Sequence, residues 1–105
     1  MKERRSSKRA RVDLLFNKFI DGYPYTCHVL DLGMGGMRVR RINERDTRSK
    51  RYPLELVLPG FEDAIWIWSR PVWNQGDQQA LRFVAMDAND RAHLATYLGT
   101  LRKAA

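Results

Sequence analysis

Between Val12 and Met86 the chain is a succession of short β-forming runs, each stopped by residues that turn the backbone, and this punctuation limits the fold more than any other feature. Val12 to Ile20 ends at Asp21-Gly22, a hairpin dipeptide. Tyr25 to Leu32 runs into Gly33-Met34-Gly35-Gly36; strict alternation within it puts Tyr25, Cys27, Val29 and Asp31 on one face and Thr26, His28, Leu30 and Leu32 on the other. In a third run Met37 and Val39 turn inward while Arg38 and Arg40 point out. A polar loop over 43–51 precedes Leu54, Leu56 and Leu58, which alternate with Glu55 and Val57 up to the turn at Pro59-Gly60. Residues 64–73 hold all three tryptophans. Pro71 within them marks a bulge or an edge, because proline donates nothing to a ladder. After Asn74-Gln75-Gly76-Asp77, Ala80 to Met86 forms the sixth run.

Leu94, Leu98 and Leu101 then recur at helical spacing behind Asp87, Asn89 and Asp90, any of which can cap a helix over about 88–103. Six strands with tight turns and one terminal helix predict a mainly β fold: a six-stranded antiparallel barrel with the helix plugging its open end. The 105 residues make one domain, read as a flexible basic arm at 1–11 and a barrel with its C-terminal helix at 12–105.

The arm, "MKERRSSKRAR", has almost nothing to contribute to a core. It carries +5, residues 38–51 carry another +5, and since the whole chain is +7 the remainder sums to −3. Two basic segments on a mildly acidic body predict a local anionic partner, such as a nucleotide, a nucleic acid or a phospholipid surface. No apolar run approaches the ~20 residues that cross a bilayer, so a soluble, cytoplasmic protein without membrane insertion is expected. The single Cys27 has no partner for an internal disulfide and no second thiol for zinc, which fits a reducing compartment; no metal and no bound cofactor are expected.

Catalytic groups do not converge in this sequence. Cys27 and His28 are adjacent on one strand and so face opposite ways, which prevents a thiolate–imidazole pair and makes Cys27 a small core residue. His93 has no ligand at metal spacing and reads as a solvated helix residue. The phosphate loop, the HExxH helix and the GxSxG elbow are all missing, and no enzyme is expected. Binding chemistry is better represented. Arg5 and Arg9 stand four apart in "RSSKR", and Asp31 stands just before the glycine-rich turn. A carboxylate accepts from the N1–H and N2–H₂ edge of guanine, while arginines chelate phosphate or guanine O6 and N7, so these groups together describe a guanine-nucleotide site. Trp73 offers a stacking face or a core or rim tryptophan, and Trp66 and Trp68 fit core, dimer interface or partner surface.

On these residues the chain resembles the PilZ domains, bacterial receptors for the second messenger cyclic di-GMP. The family's RxxxR motif is matched by Arg5-Ser6-Ser7-Lys8-Arg9, and its [D/N]xSxxG motif by Asp31 to Gly36, with Gly33 where the family has serine. "RPVW" on a late strand and "ALRF" before the helix extend the similarity over nearly the whole chain. The resemblance implies a PilZ-type split barrel whose arm clamps the nucleotide. Arg5 and Arg9 would close over it, Asp31 and the backbone of Gly33 to Gly36 would hold a guanine, and Arg38 or Arg40 and Trp73 would face the same site. Arg4, directly before the motif, implies binding of cyclic di-GMP as an intercalated dimer. The missing hydroxyl at Gly33 removes one hydrogen bond, ~1 kcal/mol or about fivefold in affinity. By the same resemblance the partners are cyclic di-GMP and an unidentified protein effector in motility, pilus, polysaccharide or biofilm control. Two alternatives stand beside this reading: a degenerate interaction module of the same fold that binds no nucleotide, and, less favoured, a small barrel binding RNA or single-stranded DNA.

Overall fold

A computed structural model describes residues 9–44 and 47–104, the last three of them as backbone alone. Six strands, β1 (Ala10–Ile20), β2 (Tyr23–Leu32), β3 (Gly36–Arg41), β4 (Tyr52–Leu56), β5 (Ile65–Gln75) and β6 (Gln78–Met86), precede one helix, α1 (Ala88–Ala104). The strands close into a barrel in the order β1-β2-β3-β6-β5-β4, every neighbouring pair antiparallel. Closure gives each strand two partners and removes the exposed edges of an open sheet. Pro71 sits at a bulge, where the β5–β6 register slips between Pro71 and Trp73, and it lies beyond Ser69, the last β5 residue paired with β4. The Asp21-Gly22 hairpin forms with φ of 52° and 87°, the two left-handed residues of a turn whose twist matches the strands it joins. Ala10 and Arg11, placed in the arm by sequence, are already in β1, opposite Leu32 and Asp31; residues 1–8 lie outside the described residues.

The inward residues of all six strands form one core, with Ile20, Val29, Leu32, Met37, Leu54 and Leu56 fully buried. α1 closes one end of it through Leu94, Tyr97 and Leu98, and Leu101 packs part-buried beside them. Asp87 is the cap, its Oδ2 accepting the N–H of Asn89 at 3.0 Å, while Asp90 accepts the N–H of Trp66 at 3.1 Å and ties the helix to the barrel rim. Among the described residues no helix is long and apolar enough to cross a membrane.

The opposite end holds a polar cluster that the alternation of β1 does not announce. Lys18 points into the barrel and is fully buried. Its Nζ donates to Glu44 Oε1 and to Gln79 Oε1, both at 2.7 Å, and lies 4.4 Å from the centre of the Tyr52 ring. Glu44 comes from the stretch between β3 and β4, so the polar loop read from the sequence sends one carboxylate inside. An ammonium without solvent persists only when its charge and donors are met, and here a carboxylate, an amide and an aromatic face meet them. Cys27 is buried beside Glu44, with Sγ 3.4 Å from Oε2. Burial first, then the Glu44 charge, push its thiol up to about 12, so it is the inert core residue its position predicts.

Candidate ligand site

The local event that builds the site is a bulge in β2. Its pairing with β3 runs Val29↔Val39 and then Asp31↔Arg38, so one extra residue is taken up between Val29 and Asp31. That residue reverses the alternation. Leu32 enters the core, fully buried, and Asp31 joins Arg38 on the outer surface. The expected face assignment for Asp31 and Leu32 is thereby corrected: uninterrupted alternation would have left the carboxylate on the Cys27 and Val29 face, which is the interior.

Outside, Asp31 is held from two directions. Arg38 Nε donates to its Oδ2 at 3.0 Å, and Arg9 NH1 reaches its Oδ1 at 3.4 Å. Arg38 is itself steadied by NH1 donating to Gln78 Oε1 on β6 at 3.1 Å. The Asp31 side chain keeps 17% of its surface exposed, against 33% for Arg38 and 35% for Arg9, so this is a half-open surface cluster. Arg11 faces Asp31 across the β1–β2 pair. Continuing the same row around the barrel, Arg38 pairs with Ala80 and Ala80 with Trp73. Trp73 is thus on the outer face, 40% exposed, two strand spacings or roughly 10 Å from Arg38. A core role for Trp73 does not hold. Arg40 lies on the same face of β3 as Arg38, two residues along, and pairs with Asp77 at 3.3 Å.

The glycine-rich turn does structural work at two of its positions. A Cβ on Gly36 would lie 2.5 Å from the carbonyl oxygen of Leu81, so β3 packs against β6 there only because the side chain is missing. Gly33 is buried, and its N–H donates to the carbonyl of Gly36 at 2.9 Å, while Phe83 N–H donates to the carbonyl of Gly35 at 2.9 Å. Among the described residues the glycines at positive φ are Gly22, Gly60 and Gly76, so Gly33 has a backbone that serine also adopts.

Of the residues singled out from sequence, the fold brings Arg9, Asp31 and Arg38 into contact, aligns Trp73 with them and sets Arg40 alongside; Gly33 and Gly36 shape the turn beneath. Arg4 and Arg5 lie outside the described residues. Sequence reading missed Gln78 and Arg11, whose places depend on strand register and carry no local signal. His28, next in the row to Arg40, is bonded through Nε2 to the Asp13 carboxylate and makes no contact with Cys27 chemistry. Among the described residues no group of three His, Cys, Asp or Glu side chains gathers as metal ligands. Chemically, the arrangement offers one oriented carboxylate among arginines, beside an exposed indole.

The model of the PilZ domain family matches residues 3–99. Among solved structures, the chain is similar to the inhibitor of motility MotI/DgrA of Bacillus subtilis, with a TM-score of 0.74 and 18% identity over 91% of this chain and 50% of that one. It thus spans half the length of that protein. It is similar to the PilZ domain of CeSA from a cellulose-synthesizing bacterium, with a TM-score of 0.69 and 15% identity over 89% of this chain and 97% of that one. It is similar also to the PilZ domain of YcgR from Escherichia coli, a structure with c-di-GMP, with a TM-score of 0.67 and 16% identity over 96% of this chain and 93% of that one. No curated protein sequence matches.

Proposed function

Because the chain belongs to the PilZ domain family, we propose that it is a cyclic di-GMP receptor that orders its N-terminal arm around the nucleotide and signals to a protein partner. The observation that carries this reading is the outward turn of Asp31 into a row with Arg38 and within reach of Arg9. The two contacts to Asp31 differ in kind. The Arg38 bond is short, charge-assisted and braced by Gln78, so it fixes the plane of the carboxylate. The Arg9 contact is long and half-exposed, worth about 0–1 kcal/mol, and is the one a ligand displaces.

In this mechanism a guanine donates N1–H and N2–H₂ to Asp31 in place of Arg9. The released Arg9, with Arg5 and Arg4 from the arm, turns to the phosphates or to guanine O6 and N7. Trp73 supplies a stacking face at the far end of the row, and Arg11, Arg38 and Arg40 keep the local field positive. No step makes or breaks a covalent bond; the output is an ordered arm and the new surface it creates. By the resemblance, Arg4 favours an intercalated dimer of the ligand, hence two nucleotides per chain.

Isothermal calorimetry with cyclic di-GMP tests the reading and its stoichiometry together. Saturable heat at micromolar ligand with two nucleotides per chain, reduced toward one in Arg4→Ala, is the expected result. No heat up to roughly millimolar ligand, a level near −4 kcal/mol, overturns it and leaves the nucleotide-free interaction module, which the glycine at position 33 favours. A single-stranded oligonucleotide titrated in parallel separates the nucleic-acid alternative.

A further inference from the structure

The second half of the proposed function needs a surface for the protein partner, and we infer that the outer face around Trp66 and Trp68 is that surface and takes an amphipathic segment whose apolar anchor is flanked by Lys or Arg. Outward positions of a barrel in water are expected to be polar, yet here an apolar row runs across five strands. Pro24 pairs with Phe19, Pro53 with Trp68, and Trp68 with Ala85. One step beyond the Lys18↔Leu54 pair, antiparallel register brings Phe19 beside Pro53 and joins the two halves of the row. Trp66 stands next to it, its ring 5.5 Å from that of Phe19.

Trp66 and Trp68 are 46% and 49% exposed, which leaves about 100 Å² of each indole in water. Aromatic side chains held open like this, on rigid strands and with little rotamer entropy left to lose, are the anchors of interface hot spots. A groove of about 360 Å³ lies between them, walled by Pro53, Trp66, Trp68 and Ala85 and bordered by Asp87 and Asp90.

Area and charge choose the occupant. The exposed indoles and their apolar neighbours make a patch of about 300 Å², well short of the ~800 Å² per partner of a stable symmetric interface, so it suits the hot centre of a docking site for a segment. A two-fold pairing of copies through this face would also set the carboxylates of Asp87, Asp90 and Glu55, which is opposite Trp66, against their own images. A basic partner meets those carboxylates favourably. Arg70, opposite Arg82 and two residues along β5 from Trp68, begins the basic side of the barrel, so charge changes sign across the patch and orients the segment with its Lys or Arg toward the helix. The face shares β5 with Trp73, yet its side chains are not those of the nucleotide row, so both surfaces can be occupied at once.

This inference rests on the adaptor reading, and its peptide titrations run without nucleotide so that the two can fail separately. The probes are a 14-residue amphipathic peptide of Leu and Lys, its counterpart with Glu for Lys, and a scrambled Leu/Lys peptide that has no apolar stripe. The readout is the indole N–H signals of the three tryptophans. The expected result is saturable movement of the Trp66 and Trp68 signals by the Leu/Lys peptide, with the Trp73 signal still, binding about tenfold or more weaker for the Glu and scrambled peptides, and a similar loss in Trp66→Ala/Trp68→Ala. The charge-reversed peptide makes the same test on unaltered protein should that variant not fold. Equal response to all three peptides, or none at roughly millimolar peptide, overturns the proposal. So does self-association in sedimentation that Trp66→Ala/Trp68→Ala abolishes, since the occupant is then a second copy. Cyclic di-GMP affinity unchanged in the double variant is expected; a loss comparable to that of Asp31→Ala would place these tryptophans in the nucleotide site and overturn the assignment.

Discussion

Arg38 and Asp31 face each other across the β2–β3 pair and are joined Nε to Oδ2 at 3.0 Å, immediately after the bulge that turns Asp31 out of the barrel. The carboxylate is therefore oriented before any ligand arrives, and its second oxygen is left to the weaker Arg9 contact.

That asymmetry separates the two arginines experimentally. In Arg9→Ala the loss falls on contacts made in the complex, so cyclic di-GMP affinity drops by about 2–5 kcal/mol if the charged contact is desolvated there, with the melting temperature of the free protein unchanged. In Arg38→Ala the carboxylate loses its orientation; affinity falls and the protein also melts lower, because Asp31 and Gln78 both lose a charged partner. Calorimetry paired with thermal melts distinguishes them, and equal affinity in parent and Arg9→Ala would remove Arg9 from the clamp.

The two motif glycines should respond in opposite ways. Gly36→Ala forces a Cβ to within 2.5 Å of the Leu81 carbonyl, a backbone atom that cannot move aside alone, and should cost about 1–3 kcal/mol of stability in urea denaturation. Gly33→Ser keeps an ordinary backbone conformation, restores the family's hydroxyl and should tighten cyclic di-GMP by a few-fold, ~0.5–1.5 kcal/mol, with a near-parental melt. A Gly33→Ser protein that melts normally and binds no better would show the hydroxyl to be irrelevant here.

Inside the barrel, removing one member of the Lys18–Glu44 pair leaves the other charged and buried. Lys18→Met should destabilise by about 3–5 kcal/mol, and Lys18→Met/Glu44→Gln should recover much of that loss. Additive single effects in a double-mutant cycle would mean that the two side chains are not coupled in solution.

Alkaline stability carries the signature of Cys27. Its thiol ionises at about 12 in the folded chain against an ordinary value of 9.0, so folded and unfolded chains hold the same proton below pH 9. Between pH 9 and about 12 only the unfolded chain gives it up, and stability falls by about 1.4 kcal/mol per pH unit from this group. Tyr52 and Tyr97, both raised chiefly by burial, keep their share of the alkaline loss in Cys27→Ala. Cys27→Ala should make the decline of stability above pH 9 measurably shallower, and an unchanged slope would contradict the burial of the thiol.

Local chemistry along the chain already determined the six strands, their turns and the closing helix, because hydrophobic alternation, a hairpin dipeptide such as Asp21-Gly22 and helical leucine spacing act over a few residues. It also marked Asp31 and the arginines as candidate binding groups. Tertiary structure decided where those groups point. One inserted residue reverses the alternation of β2, and nothing within Tyr25 to Leu32 says whether a strand will carry that bulge; the register with β3 says it. Gln78 beneath Arg38, Ala80 beside Arg38, and Glu44 meeting Lys18 all join residues more than 20 positions apart. Such contacts form only when the barrel closes, since a strand's own sequence specifies which side chains alternate but not which partner lies beside it, and a buried ammonium is tolerable only once its counter-charge has arrived.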